Sequence, residues 1–86
     1  MTDIRQIIRG RESVSGARQV LRALRAGRAE RVFVAADAAD AVTAPVKAIA
    51  GESGVETLEV PTMRELGSAC GLTVDTSCAA VLRSRP

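Results

Sequence analysis

The spacing of apolar residues along the chain predicts a regular alternation of helices and strands. Apolar residues recur at helical spacing over residues 2–10 and again over residues 17–26, and a short strand around Val14 fits between them. Gly10 and Gly27 follow the two helical segments, as expected where a helix ends. The first third of the chain is therefore predicted to be helix, strand and helix.

The rest of the chain continues this alternation. The run RVFVAAD at 31–37 is continuously apolar and rich in β-branched residues, which predicts a central strand covered on both faces. The later predicted elements are a helix at 41–50, a strand at 55–60, a helix at 63–69 and a last strand at 79–82. Pro45 is awkward in this helix unless it lies in the first turn, where its missing N–H leaves no bond unmade. The whole pattern predicts a sheet sandwiched between helices.

Length and composition narrow the class of protein. The 86 residues form one small domain, residues 1–86, and 47% apolar with 26% charged residues is ordinary for a globular protein. No apolar run approaches the roughly 20 residues needed to cross a bilayer. The N-terminal segment lacks the long apolar centre of a secretory signal. These features predict a cytoplasmic protein that does not associate with membranes.

Few residues suited to catalysis or metal binding are present. Histidine is absent, so histidine-based acid–base catalysis is excluded. Cys70 and Cys78 match no metal or redox spacing and are interpreted as small apolar side chains in or near the core. Asp37 with Asp40 is a conceivable catalytic pair, but loop acids and helix caps are far commoner. We therefore expect no enzyme activity, no metal and no cofactor.

Positive charge is concentrated in the first part of the chain. Residues 1–31 carry eight arginines against three acids, a net charge of +5, whereas residues 32–86 carry four basic residues against seven acids, a net charge of −3. This asymmetry is typical of a basic face for a polyanion. A solvated surface with a bias toward arginine explains the composition equally well.

The segment GARQVLRALRAG at 16–27 combines basic side chains with the start of a helix. Gly16 allows close backbone approach at a helix N-terminus, where free N–H groups and the helix dipole favour phosphate. Arg18, Gln19 and Arg22 lie on or next to the first exposed turn and can bind base edges. Regular A-form RNA closes its major groove to a helix, so the segment indicates a groove widened by unusual base pairs. An ordinary amphipathic surface helix remains an equal alternative.

Four blocks of sequence together indicate a family. They are GARQVLRALRAG at 16–27, VFVAADA at 32–38, LGSACGLTV at 66–74 and AAVL at 79–82, of which the first and third are the specific ones. The blocks resemble the kink-turn-binding ribosomal proteins of the L-seven-Ae family, in particular its short bacterial members. The resemblance implies a three-layer α/β/α sandwich with a small mixed sheet of about four strands. It also implies that the protein binds RNA beside tandem sheared G·A pairs.

The family's typical motif is Gly-x-Asn-Glu followed by a lysine three positions on. Gly16 matches the glycine, while Arg18 and Gln19 stand where asparagine and glutamate are usual. Arg22 replaces the lysine and retains its charge. Short bacterial members are similar to this sequence in having a basic residue and a glutamine at the central pair. The resemblance thus implies that these four residues contact RNA, with weaker contacts than in archaeal relatives because glutamine lacks the glutamate charge.

The resemblance implies a second contact surface away from this helix. In relatives, the loop after the LGSACG block meets the nucleotides bulged at the kink, and here that loop holds Leu72, Thr73 and Val74. Ala36 and Asp37, at the end of the central strand, lie where relatives place a polar or charged pair beside the helix. The competing interpretation is that Leu72 and Val74 pack under the sheet edge.

The sequence as a whole predicts a non-catalytic, ribosomal-protein-like RNA-binding protein. Its expected partner is structured RNA with a kink-turn, in ribosomal RNA or a riboswitch, and the ribosome is a candidate assembly. The protein is expected to be a monomer. Two other hypotheses remain: a protein-interaction or self-association module of the same fold, and a small enzyme with a cleft lined by convergent polar groups.

Overall fold

The computed structural model describes residues 7–8 and 11–83. Its elements are strand β1 (Ser13–Ser15), helix α1 (Ala17–Arg25), strand β2 (Ala29–Ala35), helix α2 (Asp40–Glu52), strand β3 (Glu56–Val60), helix α3 (Met63–Ala69) and strand β4 (Cys78–Leu82). The helix predicted at 2–10 lies outside the described residues except for Ile7 and Ile8, which are helical. Within the described ranges, no helix is both long enough and apolar enough to span a membrane. The predicted order of the other elements is confirmed.

The four strands form one mixed sheet in the order β1-β4-β2-β3. Strand β4 is antiparallel to both β1 and β2, whereas β2 and β3 are parallel and are joined through helix α2. The last strand of the chain therefore lies between the first two strands. This placement brings the loop before β4 next to the start of α1. The predicted mixed sheet of about four strands is confirmed.

Successive residues of the central strand face opposite sides of the sheet. Val32 of β2 belongs to the same buried cluster as Val20 of α1 and Val46 of α2. Its neighbour Phe33 belongs to the other buried cluster, together with Leu66 of α3. Helices α1 and α2 thus cover one face of the sheet and α3 covers the other. The predicted three-layer α/β/α sandwich is confirmed.

The central strand lies two residues earlier than predicted, at 29–35 instead of 31–37. Ala29 is buried and pairs with Leu82 of β4, so the strand already begins there. Ala36 and Asp37 are exposed and lie beyond the strand. The continuous apolar run correctly indicated burial on both faces but not where the strand ends. The other predicted strands and helices from 41 onward differ from the observed ones by two residues at most.

Pro45 lies in the second turn of α2, because the helix begins at Asp40. The proline removes the N–H that would otherwise bond to the carbonyl oxygen of Ala41, one turn earlier. Ala41 is exposed, so water can satisfy that carbonyl. Pro45 thus lies beyond the first turn, at the cost of one backbone hydrogen bond of the helix.

Candidate nucleic-acid interface

One end of the sheet, here called the loop edge, gathers residues 16–19, 36–37 and 72–77. The N–H of Gly16 donates to the carbonyl oxygen of Cys78 (2.9 Å), and the N–H of Ala35 donates to that of Ser77 (2.9 Å). Neighbouring strands lie about 4.8 Å apart, so the start of α1 and the end of β2 are only two strand spacings, roughly 10 Å, from each other. The sheet therefore brings the start of α1, the end of β2 and the end of the loop before β4 to one edge, whereas Arg22 lies further along α1.

Helix α1 begins at the loop edge with an N-terminus that carries no side-chain cap. Gly16 occupies the N-cap position with φ 89° and ψ 147°, a conformation that favours glycine and leaves no side chain over the helix end. Its first turn holds no acid, and no side chain in the described part of the chain caps it. The N–H groups and the positive end of the helix dipole are therefore available to an anion such as phosphate.

Helix α3 also begins at the loop edge, but its N-terminus is closed. Thr62 Oγ1 accepts a hydrogen bond from the N–H of Glu65 (3.0 Å), and Asp37 Oδ1 accepts one from the N–H of Met63 (2.7 Å). Glu65 adds a negative charge to the first turn. Of these two helix starts, α1 is the one open to an anion. Asp37, predicted to contact RNA, uses one carboxylate oxygen to hold α3.

Arg18, Arg22 and Arg25 form an exposed row along α1, here called the arginine stripe. The spacings of four and three residues keep the three side chains on one face over about 10 Å. None of them pairs with a carboxylate of the described residues. Gln19 is exposed beside the stripe. Arg25 was not predicted to contact RNA, although its seven-residue spacing from Arg18 places it on the same face.

The other arginines between positions 11 and 31 are paired with acids. The three ion pairs are Arg11 with Glu30, Arg31 with Glu56 (3.6 Å) and Arg28 with Glu12 (3.8 Å). They lie toward the opposite end of the sheet, where the chain enters β2 and leaves β4. The uncompensated positive charge in this part of the chain is therefore on α1.

The loop between α3 and β4 presents apolar side chains to solvent. Val74 is 65% exposed and Leu72 is 37% exposed. Thr73, between them, is exposed as well. Packing under the sheet edge is therefore wrong for Val74, and Leu72 keeps more than a third of its surface free. Exposed apolar side chains of this kind are suited to covering the faces of unstacked bases.

Gly67 fixes the position of this loop. It is buried in α3, and a Cβ atom there would lie 2.1 Å from the carbonyl oxygen of Val74. The N–H of Leu72 donates to the carbonyl oxygen of Gly67 (2.9 Å), and the N–H of Thr76 donates to that of Met63 (3.2 Å). The loop is thus held against α3 by backbone contacts. This packing role of the glycine was not foreseen from the sequence.

The two cysteines are free, and both lie in or near the core as predicted. Cys78 is buried in the cluster under α1 and α2, whereas Cys70 is half-buried against the cluster under α3. Burial raises the pKa of both thiols, and a hydrogen bond from Ser77 partly offsets the rise for the Cys78 thiol. Both thiols are therefore uncharged packing groups at neutral pH. In the described ranges, no cluster of cysteine and acidic side chains could hold a metal ion.

A groove of about 400 Å³ lies along β3, from Glu56 to Val60. Its lining includes Phe33, Leu58, Glu59 and the ion pair between Arg31 and Glu56. The positive charge of Arg31 is compensated by Glu56, and Glu59 adds a negative charge. This groove is therefore unsuited to a polyanion.

Known proteins include a family profile, related sequences and a solved structure that are similar to this chain. The profile of the ribosomal protein L7Ae/L30e/S12e/Gadd45 family matches residues 2–85. A Geobacillus stearothermophilus protein named RNA-binding protein YbxF is 36% identical over 78 residues, which cover 91% of this chain and 95% of that protein. A Bacillus pumilus protein named RNA-binding protein is 35% identical over 69 residues, 80% of this chain and 84% of its own. The structure of the Giardia lamblia 15.5kD RNA binding protein has the same fold, with a TM-score of 0.84, 24% identity and coverage of 94% and 68%.

Proposed function

Since the chain belongs to the ribosomal protein L7Ae/L30e/S12e/Gadd45 family, we propose that it is a non-catalytic RNA-binding protein that recognises kink-turns. A kink-turn is a sharp bend beside tandem sheared G·A pairs. The relatives from Geobacillus and Bacillus are named as RNA-binding proteins. The observation that carries the proposal is the uncapped start of α1, next to arginines that have no carboxylate partner among the described residues.

In this proposal the start of α1 enters the groove that the G·A pairs widen. The N–H groups after Gly16 hold a phosphate, and Arg22 reaches a phosphate or a guanine edge. Arg18 and Gln19 contact the sheared pairs, since an arginine and an amide can both donate to bases and the amide can also accept. A regular A-form duplex does not admit the helix, so the bend itself provides the specificity.

The loop before β4 supplies the second contact in this proposal. Leu72 and Val74 cover the nucleotides bulged at the kink, and Thr73 adds a hydroxyl and backbone groups. Ala36 offers only a methyl group and its backbone. Asp37 acts through α3, because its hydrogen bond to Met63 fixes the helix against which the loop rests. Covering the bulge removes exposed apolar surface from water, which stabilises the complex.

The proposed partner is a structured RNA that contains a kink-turn, such as ribosomal RNA or a riboswitch, within a cytoplasmic ribonucleoprotein. One protein molecule is sufficient for the complex, because a single loop edge carries both the cationic and the apolar contacts. The proposal therefore includes binding as a monomer.

The experiment that tests the proposal is a mobility-shift comparison at one salt concentration. One RNA carries the kink-turn, and the other has the same length with its G·A pairs changed to Watson–Crick pairs. We expect the kink-turn to bind at least about tenfold more tightly, since both tandem G·A pairs are changed and each specific contact to a base pair contributes roughly 1–3 kcal/mol. A salt titration alone is not sufficient, because any basic surface gives salt-dependent binding. Equal binding of the two RNAs would contradict the proposal and favour a protein-interaction module.

A further inference from the structure

A groove of about 210 Å³ runs along the side of α1 that faces β1. Half-buried Val14 of β1, buried Ala23 of α1 and buried Leu82 of β4 form its floor. Exposed Ala26, just after the last helical residue, forms part of its wall. We call it the α1–β1 groove. Its base is thus apolar and lies between a helix and the edge strand of the sheet.

The rim of the α1–β1 groove is polar and positively charged. Gln19, Arg22 and Arg28 line it, and all three are exposed. Arg22 has no carboxylate partner among the described residues. The partner of Arg28 is Glu12 at 3.8 Å, whose side chain is 81% exposed. So loose and solvated an ion pair contributes little to stability, and its guanidinium can exchange the carboxylate for a phosphate.

The size of the groove restricts what it can hold. Pockets for small molecules usually have volumes of about 300–1,000 Å³, so this groove holds a fragment rather than a whole cofactor. An apolar floor accommodates the face of a base, and the planar guanidinium of arginine stacks on bases. The amide of Gln19 can both donate to and accept from a base edge. Two cations on one rim favour the phosphates on either side of that base.

We propose that the α1–β1 groove binds one unpaired nucleotide of the RNA, next to the stem that α1 contacts. The inference rests on the proposed function and extends it, because Gln19 and Arg22 belong both to the groove and to the expected kink-turn surface. A nucleotide within the stem does not qualify, since its base is already paired and stacked. The base of the unpaired nucleotide lies on the apolar floor, and its flanking phosphates lie at Arg22 and Arg28.

The test uses kink-turn RNAs that differ only at the end of one stem. The stem is blunt, carries a short unpaired overhang, or carries the same overhang with abasic sugars, and each of the two stems is varied in turn. We expect the overhang on one stem to tighten binding of the unchanged protein about fivefold, the low end of what one stacked base contributes. The abasic overhang should give no such gain, because the phosphates alone do not fill the groove.

Two substitutions then locate the gain in the groove. Ala26→Leu fills the groove without altering charge, so it should abolish the gain and leave binding of blunt RNA unchanged. Ala48→Leu, at an exposed position of α2, is the matched control and should retain the gain. Arg28→Ala should reduce the gain and lower the salt dependence of overhang binding by about one phosphate contact. Circular dichroism establishes that each variant is folded.

The inference is overturned if neither overhang tightens binding, if the abasic overhang tightens it equally, or if Ala26→Leu keeps the gain. A result against kink-turn recognition itself would be different from these three outcomes. In that case the blunt kink-turn would bind no better than its Watson–Crick counterpart, a comparison made in the same series and independent of the overhang.

Discussion

The arginines of this molecule lie in two different environments, one on α1 and the other at the opposite end of the sheet. The arginine stripe of α1 has no carboxylate partner among the described residues, whereas Arg11 and Arg31 are paired with Glu30 and Glu56. Exposed ion pairs of this kind contribute only about 0–1 kcal/mol to stability. The net charge of +5 over residues 1–31 therefore overstates the surface available to a polyanion. The position of each acid decides which arginines are free to bind.

The arginines within the stripe also differ in how they affect α1 itself. Arg22 and Arg25 lie in the last turn, where the negative end of the helix dipole favours a cation. Arg18 lies in the first turn, where the positive end disfavours one, and neither an acid nor a side-chain cap offsets this. Arg18 therefore gains no stabilisation from the helix dipole, unlike Arg22 and Arg25.

The largest effect is expected from displacing the loop between α3 and β4. The arginine stripe and the arginines paired with acids stay unchanged. Gly67→Ala places a Cβ atom against the carbonyl oxygen of Val74, so we expect the free energy of unfolding to fall by about 1–3 kcal/mol. Kink-turn binding should weaken as well, because the loop is displaced. Gly51→Ala in α2 is the control, since its Cβ atom meets open space and the helix should gain about 0.5–1 kcal/mol. Urea unfolding and RNA titration measure both quantities.

A direct contrast between the two groups of arginines comes next in size. Arg22→Ala should weaken kink-turn binding by about 1–3 kcal/mol if its side chain contacts a base. Arg31→Ala removes the same charge at the opposite end of the sheet and should change binding by less than about 0.5 kcal/mol. Titrations of both variants at one salt concentration give the comparison. Equal losses would mean that overall charge, not the position of α1, determines affinity.

Arg18→Ala should have opposite effects on folding and binding. Removing a cation from the first turn of α1 should raise the free energy of unfolding by about 0.3–1 kcal/mol. The same change should weaken binding to the kink-turn, because a contact to the sheared pairs is lost. Thermal unfolding and RNA titration test the two signs separately. A protein that becomes less stable would refute the dipole argument for this residue.

The smallest effect is expected from the arginines that form ion pairs with acids. Glu30→Gln leaves Arg11 without its acidic partner and should lower the free energy of unfolding by about 0–1 kcal/mol. Kink-turn binding at fixed salt should hardly change, even though the net charge becomes more positive. A clear gain in affinity for the kink-turn over its Watson–Crick counterpart would show that this end of the sheet also meets the bound RNA.

Local signals in the sequence predicted most of the elements and the layering of helices on a sheet, but not the order of the strands. Helix α3 was predicted with its observed bounds because Pro61 and Thr62 precede it and Gly71 follows it. The position of β4 between β1 and β2 depends on pairings between residues more than 40 positions apart, such as Val34 with Cys78, and no local pattern encodes them. The meeting of α1 and the loop before β4 was therefore expected only from the family resemblance.

The residues of the candidate site also fall into two groups: those that local sequence signals identified, and those whose role depends on contacts made only in the folded chain. Gly16, Arg18, Gln19 and Arg22 could be identified from their place at a helix start, and their contact with RNA stays a prediction. The role of Gly67 could not be identified, because it depends on a loop that folds back over the helix and comes close to its backbone. Asp37 was expected to face RNA, yet its Oδ1 accepts the N–H of Met63, a contact 26 positions away along the chain.

The most direct measurement is a map of backbone amide chemical shifts as kink-turn RNA is added to the protein. We predict the largest changes at Ala17–Gln19 and Leu72–Val74, with little change along the outer face of α2 or the edge of β3. Largest changes on α2 or β3, with the start of α1 unaffected, would contradict the claim that the open end of this helix meets the RNA.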